Sequence, residues 1–225
     1  MTSASYIFLA GASRGVGREI AQCLRTQQLK VKALLRTLTV ASELEKIGIQ
    51  VVQGDALNVD DVERAVQADE QIDTIISTIG GLPADTQRPD YPGNKNLIDA
   101  AVKAGVQNFI LVSSIGAGDS VNALSPQALA ALGTVLAEKD KAEQHLIASG
   151  LTYTIIRPGG LKSEPATGNG VLTEDTRIIG SINRQDVAQL VCHCLNNQRA
   201  HNKILSAVDR NMLFGQTEFA EFSLD

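Results

Sequence analysis

The sequence predicts an α/β chain, a doubly wound parallel sheet with helices on both faces in three αβα layers. Three observations predict it. Apolar runs of four or five residues recur without polar alternation, as strands buried on both faces do. Between them lie stretches with apolar residues at helical spacing. The junction of the first strand and first helix carries three glycines, Gly11, Gly15 and Gly17.

The elements follow in order. Tyr6-Ile7-Phe8-Leu9 is a buried strand, and Arg18 to Gln28 a helix with Val16, Ile20, Cys23 and Leu24 along one stripe. Val31 to Leu35 is the second strand. Ile49 to Val52 is the third, followed by a helix through Val59, Val62 and Val66. Ile72 to Ile76 is the fourth, and Leu97, Ile98, Ala101 and Val102 mark a helix ended by Gly105. Phe109 to Val112 is the fifth. Val135, Lys139, Ala142 and Leu146 lie along a helix ended by Gly150, before a sixth strand at Thr152 to Ile156. Asn183 caps a helix that carries Asp186 in its first turn and runs through Val187, Leu190, Val191 and Cys194. Ile204-Leu205 is the candidate last strand.

One domain over residues 1–225 is expected, a length that buries about 70% of the unfolded chain's surface. Two connections, 115–133 and 161–177, leave the carboxyl ends of strands. Either covers a ligand, as a substrate loop, or is a plain surface loop. Phe214, Phe219 and Phe222 lie in a polar tail and are expected to dock it on the domain.

Composition excludes several classes. Net charge is −5 with no basic cluster, which argues against nucleic acid. No apolar run reaches the ~18 residues of a membrane span. Residues 1–5 carry no basic region, so no signal peptide and a cytoplasmic protein are expected; the expected state is a monomer. Cys192-His193-Cys194 does not predict a metal site, because i and i+2 point to different helix faces.

In doubly wound sheets ligands bind beyond the carboxyl ends of the strands. The first such turn is Gly11-Ala12-Ser13-Arg14-Gly15-Val16-Gly17. A strand, a glycine turn and a helix in that order form a Rossmann-type phosphate cradle. Gly11 allows the tight turn, Gly15 the approach of a pyrophosphate, and Gly17 close helix–strand packing. The spacing is Gly-x-x-x-Gly-x-Gly. Arg36 follows the second strand, and no acid occurs until Glu43. An acid there would accept from the ribose 2′-OH of NAD, whereas a cation suits the 2′-phosphate of NADP. Arg36, helped by Arg14, therefore predicts NADPH as cofactor. Asp55, with Ala56 and Leu57 after it, is placed to meet the adenine amino group; the alternative is ordinary turn chemistry.

These residues, with Ser113-Ser114 and Arg157-Pro158-Gly159-Gly160-Leu161, resemble the atypical branch of the short-chain dehydrogenase/reductase family. The resemblance runs from about Tyr6 to Leu195. Within the branch the chain is similar to flavin reductase / biliverdin-IXβ reductase proteins and to NmrA-like proteins. The resemblance implies that Thr78, Ile79, Gly80 and Gly81 lie along the adenosine ribose, and that Pro158, Gly159 and Gly160 border the nicotinamide. It implies that Ser114, with Ser113 as the alternative, sits near nicotinamide and substrate, and that Lys139 can hold the nicotinamide ribose. Ser114 and Lys139 are the catalytic candidates.

One departure from the family is informative. Its main branch uses Tyr-x-x-x-Lys, with the tyrosine protonating a carbonyl oxygen. Here Lys139 is preceded at that spacing by Val135. Losing a general acid costs about 10²–10⁴ in rate. An acceptor that spreads charge over a conjugated system can take its proton from water. A planar flavin, linear tetrapyrrole or quinone is the expected substrate. The alternative is a non-catalytic NADP(H) sensor or assembly factor. A nucleotide-sugar epimerase or dehydratase fares worst without the tyrosine.

Overall fold

A computed structural model describes residues 5–67, 71–81, 87–215 and 217–225. Its elements are β1 (Tyr6–Ala10), α1 (Gly15–Thr26), β2 (Val31–Leu35), α2 (Ala41–Lys46), β3 (Gln50–Gln53), α3 (Val59–Val66), β4 (Ile72–Ser77) and α4 (Pro92–Ala104). There follow β5 (Asn108–Val112), α5 (Pro126–Ala148), β6 (Thr152–Pro158), β7 (Gly160–Lys162), β8 (Gly170–Thr173), β9 (Ser181–Asn183), α6 (Arg184–Cys194) and β10 (Lys203–Asp209).

The main sheet runs β3-β2-β1-β4-β5-β6-β10-β8. Its first seven strands are parallel, with Leu9 opposite Ala33 on one side and Ile76 on the other. Strand order reverses between β1 and β4, the point where such sheets open a crevice. Side chains alternate across β1, so one strand feeds two cores. Ile7 and Leu9 pack with Ile20 and Leu24 of α1 and Val187 and Val191 of α6. Phe8 and Ala10 pack with Val62 of α3, Leu97 and Ile98 of α4 and Leu146 of α5. Each large apolar side chain buried in this way stabilises the fold by about 1.5–3 kcal/mol.

The structure corrects several expectations. The eighth strand, β8, is antiparallel to β10, so the sheet is mixed at one edge. The connection 161–177 holds all of β8 and most of β7, and β7 pairs in parallel with β9 in a separate two-stranded sheet. The connection 115–133 is helical from Pro126 onward, where Ser125 Oγ accepts from the Ala128 amide at 3.2 Å. A 3-10 turn over Gly118–Ala123 fills most of the rest. The short α2 follows β2 where no helix was expected. Asn183 occupies the N-cap of α6 without capping it. Its amide donates instead to the Pro165 carbonyl at 3.1 Å. In the tail, Phe219 and Phe222 pack on the domain, whereas Phe214 is 54% exposed.

Candidate functional site: a dinucleotide cleft at the strand switch

The glycine turn closes the carboxyl end of β1. Gly11 has φ +97°, a left-handed conformation that favours glycine. A Cβ added to Gly11 would collide with Thr78 Oγ1, and one on Gly17 with the Gly11 carbonyl. Glycine therefore lets α1 start hard against the strand ends. Thr78 Oγ1 donates to the Ala10 carbonyl at 3.2 Å, tying the β4 turn to the β1 turn. No side chain caps α1, and no acid stands in its first turn. Its leading amides are left for an anion. Ala12 and Val16 are buried beneath the turn, while Ser13 and Arg14 are exposed.

Arg36, just after β2, is exposed too. Neither Arg14 nor Arg36 pairs with a carboxylate among the described residues. Glu43, the first acid after β2, is held by Arg18 at 2.8 Å. A nicotinamide dinucleotide fits this set: a cradle that a Cβ would fill, uncapped amides, and two free guanidinium groups. Asp55 forms a turn, its Oδ1 accepting from the Leu57 amide at 2.9 Å. The Ala56 carbonyl accepts from Asn96 at 2.9 Å. Asp55 therefore makes the turn contact of its alternative reading.

Beyond β4, the turn Thr78-Ile79-Gly80-Gly81 is braced from α4. Ser77 Oγ donates to Asn94 Oδ1 at 2.5 Å, and Asn94 Nδ2 to the Asp90 carbonyl at 2.7 Å. Asp90, fully buried, accepts the Gly81 amide and an Arg88 guanidinium N–H, each at 2.9 Å. Lys139 Nζ lies 3.6 Å from Asp90 Oδ1, and 3.7 Å from where a Cβ on Gly80 would sit. So Lys139 does reach the fourth-strand turn. Burial pulls its ammonium below the usual lysine range, against the opposing pull of Asp90.

The two serines after β5 part company. Ser113 is buried; its hydroxyl donates to Glu143 and its amide to the Ile156 carbonyl. Ser113 thus ties the end of β5 to α5 and β6. Ser114 is half-exposed, its hydroxyl donating to the Ile115 carbonyl at 3.0 Å. Glu143 also accepts two bonds from Arg157, at 3.1 and 2.6 Å, and Arg157 reaches on to Asp119. Burial disfavours the Arg157 charge, but Glu143 and Asp119 outweigh it and raise its pKa. At the β6 end the Pro158 carbonyl accepts from Ile115 at 2.9 Å. Gly159 donates to Ala207, and a Cβ on it would strike the Gly180 carbonyl. The Pro158-Gly159-Gly160 turn therefore meets the loop after β5, strand β10 and the residue before β9 at one point.

Asp90, Glu143 and Asp119 were not singled out from sequence. Arg157 was quoted only within a motif, although a charge inside the apolar run Thr152 to Ile156-Arg157 is a signal for a buried partner. Among the described residues no cluster of His, Cys, Asp and Glu could hold a metal ion, and no helix is long and apolar enough to cross a membrane.

Known proteins share this architecture. A solved structure of ChuY from Escherichia coli O157:H7, described as an anaerobillin reductase, superposes with a TM-score of 0.83 at 35% identity, covering 91% of this chain and 97% of that one. An uncharacterized chloroplastic protein of Arabidopsis thaliana is 35% identical over 91% of this chain and 76% of its own. The uncharacterized sugar epimerase YhfK of Bacillus subtilis is 32% identical over 96% and 97%. The sequence profile of a family described as NAD(P)H-binding matches residues 11–198, from the glycine turn through α6. The chain therefore belongs to the NAD(P)H-binding family, within the atypical short-chain dehydrogenase/reductases.

Proposed function

We propose that the protein is an NADPH-dependent reductase that delivers hydride to a planar conjugated acceptor of flavin, linear tetrapyrrole or quinone type. The observation that carries this reading is Val135, half-buried one helical turn before Lys139, where a carbonyl reductase of this family would place its tyrosine. Lys139 meanwhile faces Asp90. An acceptor that holds negative charge on its own conjugated system needs no protein acid at that point. The same feature argues against an epimerase reading, despite the likeness to YhfK.

The cofactor supplies the hydride when bound. The chain's task is positioning. The glycine turn holds the pyrophosphate, and Arg36, helped by Arg14, selects the 2′-phosphate. Asp55, Ala56 and Leu57 flank the adenine, and Thr78 to Gly81 the ribose. Lys139, braced by Asp90, holds the nicotinamide ribose, while Pro158, Gly159 and Gly160 border the ring. Ser114 orients the acceptor or a water by hydrogen bonding. The segment 115–125 and the strands within 161–177 form the substrate side. Leu161 and Phe214 are 40% and 54% exposed on segments bonded to the Pro158–Gly160 region, and give a planar ring apolar surface. We place the protein in a reducing compartment such as the cytosol, where its three free thiols persist.

The test is absorbance of the nicotinamide band with NADPH and each of FMN, FAD, biliverdin and a quinone. Turnover of at least one, with NADPH preferred over NADH, is expected. Binding of NADPH without any turnover would replace this reading with the sensor reading.

A further inference from the structure

The acid that opens α6, Asp186, is already engaged by the Thr167 and Gly168 amides, at 3.0 and 2.9 Å. The first helical residue of α6 is an arginine, Arg184. A cation at this end of a helix opposes the helix dipole. A local rule broken without a compensating contact is a signal of function. Arg184 has no acidic partner among the described residues. Its NH1 is held instead by uncharged groups, the Ser163 hydroxyl at 2.7 Å and the Leu161 carbonyl at 3.4 Å.

The direction in which this holds the guanidinium is informative. A Cβ placed on Gly15 would lie 3.7 Å from Arg184 Nε and 4.0 Å from its Cδ. Arg184 therefore leans across from α6 to the middle of the glycine turn. The two helices pack side by side through one core. Gly15 is the residue at which a pyrophosphate would approach the backbone, and it is the first residue of α1. The N-terminus of α1 and the Arg184 guanidinium thus meet at Gly15, with no carboxylate paired to Arg184 among the described residues.

We propose that Arg184 is a pyrophosphate ligand of the cofactor, reaching it from α6 and carrying the 161–163 segment with it. This inference rests on the dinucleotide reading of the cleft. It separates two kinds of arginine. Arg36 reads the 2′-phosphate that only NADPH has, whereas Arg184 grips the diphosphate that NADPH and NADH share. Because Leu161 and Ser163 hold Arg184, the substrate-side strand β7 is ordered by the same phosphate contact.

The experiment is calorimetric titration of full-length protein with NADPH and with NADH, for the wild type, R184Q, R184K and R36A. R184Q is expected to weaken both cofactors by the same factor, about 10- to 100-fold. R184K should lose less, since it keeps the charge without the fork. R36A should weaken NADPH alone. Circular dichroism of each variant checks its fold, and R184K carries the test if R184Q is misfolded. Unchanged affinities in R184Q, or a loss confined to NADPH, would overturn the assignment while leaving the dinucleotide cleft intact. Absence of binding by the wild type would overturn both.

Discussion

Cys23 on α1 lies against Cys192 on α6, in the contact between those two helices. The Cys192 S–H donates to Cys23 and brings the Cys23 thiol down to about 7, against the upward push of burial. The donor pays the opposite shift: hydrogen bonding to Cys23 and burial raise Cys192. Burial pushes Cys194 up to about 12. Since the thiolate is the nucleophile, iodoacetamide should label Cys23 with a midpoint near pH 7 and spare Cys192 and Cys194 until the chain unfolds. Peptide mass mapping over pH 5–9 measures this. A Cys23 midpoint above about 8.5, the value of an ordinary thiol, would contradict the arrangement. The contact is invisible in sequence, because the partners are 169 residues apart and nothing in Cys192-His193-Cys194 names α1 as the neighbour. Ser113 and Ser114 show the same limit. Adjacent identical residues differ in role because β5 ends between a buried carboxylate and the cleft, and only Ser113 points at Glu143.

At the scale of elements, the Glu143–Arg157 pair locks α5 to β6 beneath the Pro158–Gly160 turn. Glu143 is fully buried and Arg157 is 2% exposed. Removing the Glu143 charge leaves Arg157 buried with only the exposed carboxylate of Asp119 to offset it. E143Q should therefore lose about 3–5 kcal/mol of stability, read as a lower urea midpoint with an unchanged slope. Replacing both partners with apolar residues of similar volume should recover most of that loss. A loss under about 1 kcal/mol in E143Q would mean that the pair behaves as a surface one. The parallel strands were legible because continuous apolar runs bounded by glycine carry their own signal, and six of them read true to within two residues at each end. Short strands did not. β7 and β9 have three residues each, and β8 has four. Such pieces are fixed by long-range pairing rather than by local pattern. The start of α5 was hidden differently. Leu129 and Leu132 are 40% and 47% exposed, so the first turns of that helix bury no apolar stripe, and only Ser125-Pro126 marked its beginning.

For the whole molecule, the proposed cleft draws on segments far apart in sequence: 11–17, 36, 55–57, 78–81, 139 and 158–160. Any cofactor that needs them together binds the native state and not the unfolded one, so its affinity appears as stability. With NADPH at 100 times its dissociation constant the gain is about 2.7 kcal/mol. For a chain of this length that raises the melting temperature by about 5–11 °C. Arg36 decides how much of the gain belongs to the 2′-phosphate. A charged hydrogen bond contributes about 1.5–3 kcal/mol, or about 10- to 100-fold in affinity. At the same NADPH concentration R36A should then gain only about 0.4–1.4 kcal/mol. Its shift with NADH should match that of the wild type, because NADH offers that guanidinium no phosphate. Differential scanning fluorimetry of both proteins with both cofactors gives the four shifts. Equal shifts from NADPH and NADH in the wild type would remove Arg36 from cofactor selection and leave the glycine turn alone to hold the ligand.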